Sequence, residues 1–131
     1  MPKNKHPTRI TRGADSYRRG WWAEWLALAR LMAKGYWPCA MRYRTPRGEI
    51  DLIVRRGDLF VAVEVKARPD LVGGHEAMTE QDWRRRGAAM ADFMQRKGYK
   101  NCSVRFDLIV VKPYFETQHT ESAWQPAFSP Y

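Results

Sequence analysis

Two stretches with a two-residue hydrophobic period, Glu49 to Val54 and Leu59 to Lys66, are separated only by Arg55-Arg56-Gly57-Asp58. Strand-period segments joined by so short a turn commit the chain to an antiparallel hairpin. Because side chains alternate along a strand, Glu49, Asp51 and Ile53 share one face, and Ile50, Leu52 and Val54 share the other. In the second strand Glu64 and Lys66 lie opposite Val61, Val63 and Val65. A turn about Arg56-Gly57 pairs Val54 with Leu59, Asp51 with Ala62 and Glu49 with Glu64. That register gathers the polar groups on one face, leaves the apolar face as the core side, and makes Asp51 and Glu64 diagonal neighbours about 7–8 Å apart at the backbone.

The remaining elements arrange themselves around this hairpin. Residues Tyr17 to Lys34 have helical periodicity, with Trp21, Trp25, Leu28 and Met32 as the inward stripe and Trp22, Leu26 and Ala29 widening it. Gly35 ends that helix, Ala40 to Arg44 reads as a short strand, and Thr45-Pro46-Arg47-Gly48 reads as a turn. After a loop marked by Pro69 and Gly73-Gly74, Thr79 and Asp82 form a capping box for a helix that runs to about Lys97 and stops at Gly98. Its buried positions are Trp83, Met90, Phe93 and Met94. Ser103 to Val111 is a further strand, and Trp124 and Phe128 anchor the end of the chain. The order helix, strands, helix, strand predicts an α/β fold, a mixed β-sheet flanked by helices.

Length and composition limit the alternatives. A chain of 131 residues has room for one core, here assigned to residues 16–131 behind a basic arm at 1–15. No apolar run approaches the roughly 18 residues of a membrane span, and the start has no signal-peptide core. Two distant cysteines, Cys39 and Cys102, form no metal motif or disulfide framework, which fits a cytoplasmic protein.

The net charge of +9 is unevenly placed: eleven Lys or Arg against two acids up to Gly48, then twelve of each. Such asymmetry points to a polyanion, nucleic acid being the commonest, with a solubilising tail as the alternative. The 16 Arg against 7 Lys suit planar phosphate recognition. Trp21, Trp22 and Trp25 are read as core or as the surface of a homodimer in preference to a base-stacking platform. His6, His75 and His119, scattered without metal spacing, are read as solvated.

Chemistry concentrates in the hairpin. Two carboxylates as close as Asp51 and Glu64 repel unless a cation neutralises them. Oxygen ligands without His or Cys select Mg2+ or Mn2+, which would activate water for attack on a phosphodiester. Glu49 shares the face as a further ligand, Lys66 could position the water or neutralise the developing charge, and Glu24 on the first helix is a candidate fourth carboxylate. An exposed Glu-Lys pair and a solvated Glu24 are the simpler readings of the same residues.

Ala23-Glu24, Lys34-Gly35-Tyr36, Gly48-Glu49-Ile50-Asp51-Leu52-Ile53, Val63-Glu64-Val65-Lys66-Ala67-Arg68, Glu76-Ala77-Met78-Thr79 and Val104-Arg105-Phe106-Asp107 together resemble the YraN family of uncharacterised bacterial proteins. The resemblance runs from about Arg18 to Phe128. That family is in turn similar to Holliday-junction resolvases and restriction-endonuclease-like PD-(D/E)xK nucleases. The resemblance implies a restriction-endonuclease-like fold and a metal-dependent nuclease acting on structured or branched DNA, or a non-catalytic nucleic-acid-binding or adaptor protein that retains the fold. Glu24 would be the helix Glu, Asp51 the strand Asp, Glu64 the second metal-binding carboxylate and Lys66 the catalytic Lys, while Glu49 belongs to the YraN motif alone. Arg18, Arg19, Arg42, Arg44, Arg47, Arg68 and Arg84 are the arginines assigned to phosphates. Ala62 departs from the family's usual large aromatic, and Asp82-Trp83 from its basic residue and Gln.

Overall fold

The computed structural model describes residues 21–68 and 78–127. The basic arm at 1–15, the beginning of the first helix, Arg18, Arg19, His6, His75, the Pro69 to Gly74 loop, Glu76-Ala77 and Phe128 lie outside the described residues.

Alternation in the sequence becomes one five-stranded sheet in the order β1-β2-β3-β4-β5. The strands are β1 (Trp37–Thr45), β2 (Gly48–Arg56), β3 (Leu59–Ala67), β4 (Ser103–Val111) and β5 (Thr117–Trp124). Neighbours are antiparallel except the central β3 and β4, which run parallel. Their connection carries helix α2 (Glu80–Lys97), as a crossover between parallel strands requires. Helix α1 covers residues 21–33. The sheet is mixed and the class α/β, in the expected element order with β5 added. No helix among the described residues is long and apolar enough to cross a membrane.

Helices cover both faces of the sheet. Ile53, Phe60 and Ala62 pack with Met90, Phe93 and Met94 of α2, whereas Leu52, Val54, Val61 and Val63 pack with Ala27, Leu28 and Leu31 of α1. The polar face of the hairpin is therefore roofed by α2, and the hairpin has no single core side. α2 follows its sequence signals closely. Thr79 and Asp82 exchange the two capping-box hydrogen bonds, and Gly98 closes the helix at φ 72°.

The orientation of α1 reverses the expected one. Ala23, Glu24, Ala27, Leu28 and Leu31 face the sheet, and Trp21, Trp22, Trp25 and Met32 are exposed. Only Leu28 of the expected stripe is inside. The physical reason is clearance: alanines let a helix lie close on a face lined with Leu and Val, and indoles would hold it off.

The hairpin register also differs. Arg56 pairs with Leu59 and Val54 with Val61, because the turn holds two residues, Gly57 and Asp58, with Gly57 at φ 62°. Moving each partner two residues along preserves the faces of Leu52, Ile53 and Val54, whereas Ile50, expected on the face of Leu52 and Val54, packs with Ile53 on the α2 side beyond the last ladder pair. It also brings Asp51 level with Glu64.

β5 encloses a second polar cluster. Asp107, fully buried, accepts from Arg105 Nε and Nη2 at 2.8 Å, from the Ser122 amide at 3.1 Å, and contacts His119 Nε2 at 2.7 Å. His119 Nδ1 meets Lys34 Nζ at 2.8 Å, and Arg105 donates to the Tyr36 hydroxyl at 2.6 Å. These bonds tie the end of α1 to the β4–β5 edge. His119 is a partner of Asp107, and the solvated reading is corrected.

Gly48 sets the spacing between hairpin and roof. A Cβ there would lie 2.3 Å from the Arg85 carbonyl oxygen and 2.8 Å from its carbon. Gly48→Ala is expected to destabilise the protein by about 1–3 kcal/mol through overpacking against helix backbone, measured by urea unfolding. Gly57→Asn, at an open left-handed position that Asn tolerates, should cost less.

Candidate metal and nucleic-acid site

β2 and β3 separate beyond Leu52 and Val63, the last pair of their ladder. Asp51 stands at the fork, and its Oδ2 accepts the Val65 amide at 2.8 Å. The carboxyl thus satisfies a donor that a strand carbonyl would otherwise take. On the other side of β2, the pairs Met41–Leu52 and Tyr43–Ile50 bracket Arg42 and Asp51. Arg42 sits at φ 53°, a left-handed conformation that costs a non-glycine residue energy. Its side chain turns onto α1 and donates from Nε to Glu24 at 2.8 Å.

Glu64 is 4% exposed and held by two cations. Arg86 of α2 clasps both its oxygens, Nε to Oε1 at 2.6 Å and Nη2 to Oε2 at 2.9 Å, and is itself anchored on the Asp82 carbonyl at 3.0 Å. Lys66 approaches Oε2 at 3.3 Å. α1, β1, β2, β3 and α2 therefore converge on three acids, Glu24, Asp51 and Glu64, faced by Arg42, Lys66 and Arg86. Burial, the adjacent Glu64 charge and a hydrogen bond with Glu64, joined by Glu24, push the Asp51 carboxyl up to about 8, against the lowering effect of the Val65 amide. The Asp51 carboxyl therefore holds its proton to a higher pH than an ordinary carboxylate.

The structure brings Glu24, Asp51, Glu64 and Lys66 together. Glu49 lies on the surface in an exposed pair with Arg44 at 3.0 Å. Of the phosphate-binding candidates among the described residues, Arg42 is committed to Glu24, Arg44 to Glu49, and Arg84 to Glu80 at 3.2 Å. The Arg68 guanidinium bonds the Ala67 carbonyl, and Arg47 is exposed on the β1–β2 turn.

Arg86 was missed as a member of the site, although a signal for it exists. It falls between Trp83 and Met90 on the buried stripe of α2, and a cation there requires a buried acid. Beside it, Ala62 and Trp83 line one crevice with Glu64 and Arg86. The small residue at 62 is matched by a large one at 83.

An α/β sheet with two covering helices and an acid cluster at a strand fork defines the class. Residues 23–111 match the family described as Uncharacterised protein family UPF0102. A UPF0102 protein of Mesorhizobium japonicum is 49% identical over 110 residues, 83% of this chain and 88% of the relative. One from Rhizobium meliloti is 44% identical over 115 residues, 87% and 94% of the two chains. One from Brucella canis is 45% identical over 114 residues, 86% of each. The chain belongs to the UPF0102 family, which is the YraN family of the resemblance.

A carboxyl whose folded pKa is raised costs stability as pH climbs from its unfolded value, 3.8, to about 8, because the unfolded chain releases the proton first. Asp51→Asn preserves an acceptor for the Val65 amide and supplies a permanent donor to Glu64. It should match wild type near pH 4 and exceed it by on the order of a few kcal/mol at pH 8, read from thermal unfolding across that range.

Proposed function

We propose that this protein is a metal-dependent nuclease acting on structured or branched DNA, with Asp51, Glu64, Lys66 and Glu24 as its working residues. The observation that carries the reading is the convergence of Glu24, Asp51 and Glu64 with Lys66 at the fork between β2 and β3. The excess of basic charge up to Gly48 supports a polyanionic substrate.

The donor chemistry fits a hard divalent ion. Three carboxylates and no thiol or imidazole suit Mg2+ or Mn2+, and the neighbouring Glu64 and Glu24 charges help to raise the Asp51 carboxyl. Among the described residues no three acids, histidines or cysteines stand placed to hold an ion together. Arg86 occupies both Glu64 oxygens in this arrangement. Asp51 and Glu64 would hold the metal, with Glu24 beside them, and Arg86 has to yield. The ion would supply an acidified water and charge stabilisation. Lys66 holds Glu64 in place and keeps an ammonium beside the reacting phosphate. Arg42 fixes Glu24, and so α1, against β1.

Arg86 also gives the second reading its support. A guanidinium that satisfies Glu64 fully can be a permanent structural tie, and the protein would then be a non-catalytic nucleic-acid-binding or adaptor protein on a nuclease scaffold. Titration calorimetry with Mn2+ separates the two. In the nuclease reading wild type binds weakly, Asp51→Ala and Glu64→Ala abolish binding without unfolding the chain, and Arg86→Gln tightens it roughly tenfold by removing the competitor, the effect of about 1.4 kcal/mol. Unchanged binding in the two acid variants sinks the metal assignment.

Lys66→Ala separates catalysis from binding. It should leave metal and DNA affinity nearly intact and slow cleavage of branched DNA by roughly 100- to 1,000-fold, the typical cost of one charge-stabilising donor. Cleavage that survives both Lys66→Ala and Asp51→Ala, or a wild type inert on junction, flap and single-stranded DNA, rejects the nuclease reading.

A further inference from the structure

The tryptophans of α1 are outside the core, at 48%, 53% and 49% exposure for Trp21, Trp22 and Trp25. Leaving three indoles in water forfeits burial that the chain could otherwise use, and a contiguous exposed aromatic group marks an interaction site. These rings are also ordered against one another. Trp21 meets Trp25 edge to face at 6.2 Å and 84°, and Trp22 stacks on Phe115 at 5.1 Å and 15°. Phe115 is presented by a turn with Tyr114 and Phe115 at φ 65° and 64°, and its carbonyl is held by Arg30 at 3.1 Å.

Position connects this group to the acid cluster. Trp21 lies three residues before Glu24, one turn along the same helix, with Trp21 exposed and Glu24 turned to the sheet. Glu24 in turn acts on Asp51 through its charge. The outer side of α1 is aromatic where its inner side delivers a carboxylate to the site. Charge settles the kind of partner. The chain up to Gly48 holds the whole +9 excess, and Arg30 lies against the aromatic group through the Phe115 carbonyl, a balance that favours a polyanion over a second, equally basic copy. Flat indoles beside positive charge accept any base by its π-face.

We infer that Trp21, Trp25 and the Trp22–Phe115 stack form a platform for unpaired bases next to the acid cluster, so that the substrate is DNA with single-stranded nucleotides at the scissile point: a flap, a gap or a splayed junction arm. The inference rests on the nucleic-acid reading of the site and narrows it. Continuous duplex keeps its bases stacked inside and offers the platform only backbone.

The test is fluorescence anisotropy on the full chain at low salt, with labelled single-stranded, blunt duplex and flapped duplex DNA. Wild type should prefer flap and single strand to blunt duplex, with its tryptophan emission quenched on binding. Trp21→Ala with Trp25→Ala should lower single-strand and flap affinity by roughly tenfold for each ring removed, leave duplex affinity in place and leave the melting temperature near wild type. Trp21→Phe with Trp25→Phe should restore most of the loss. An equal loss on all three DNAs, or no loss, overturns the platform. So does a wild-type dimer in sedimentation that the double alanine variant converts to monomer, since the face then binds its own copy. A wild type that binds all DNAs alike fails the platform and spares the nuclease reading; one that binds no DNA fails both.

Discussion

The carboxyl of Asp51 stands where a ladder carbonyl would, and much of the local architecture follows from that substitution. A strand pair can separate inside a covered sheet only if the amides it releases find other acceptors. Asp51 takes the Val65 amide, and the fork is maintained at the cost of a half-buried acid. That acid must then be balanced. Arg86 reaches down from α2, Lys66 lies two residues beyond Glu64, and Arg42 adopts a left-handed backbone to hold Glu24. A buried set of this kind contributes little net stability, because desolvation offsets attraction. Its effect is to fix where five elements meet.

The sequence was most informative where local rules govern. Two-residue alternation located β2 and β3, and capping chemistry located both ends of α2, because strand period and helix caps are properties of a few adjacent residues. The register needed one further fact, the number of residues in the turn, and the difference between Arg56-Gly57 and Gly57-Asp58 moves every pair by two. Faces along the paired stretch survived that error since two is the period of a strand, and only Ile50, beyond the last ladder pair, changed sides. The α1 stripe failed for a different reason. Hydrophobicity ranks Trp above Ala, whereas the close approach of helix to sheet selects Ala23 and Ala27.

The acids of the site and Lys66 were legible as a pattern, whereas Arg42 and Arg86 were not legible as counter-ions. Glu64 and Lys66 announce themselves by spacing, but Arg86 lies 22 residues away from Glu64 and only tertiary packing joins them. The same holds for Asp107 and His119. β5, with the sequence Thr-Gln-His-Thr-Glu-Ser-Ala-Trp, has the polarity of a loop and becomes a strand because β4 offers it a ladder and Asp107 offers its His119 and Ser122 bonds.

Both borders of the sheet are bent. β1 carries Pro38, a bulge between Pro38 and Ala40, and the left-handed Arg42; β5 has its own irregularity opposite Phe106 and Leu108, with Ser122 left-handed at φ 52°. Neither outer strand presents the straight run of free amides and carbonyls on which a foreign strand could template itself. Extension of the sheet into fibrils or swapped strands is thereby obstructed at each end, and the chain is left without an adhesive rim along which copies could stack.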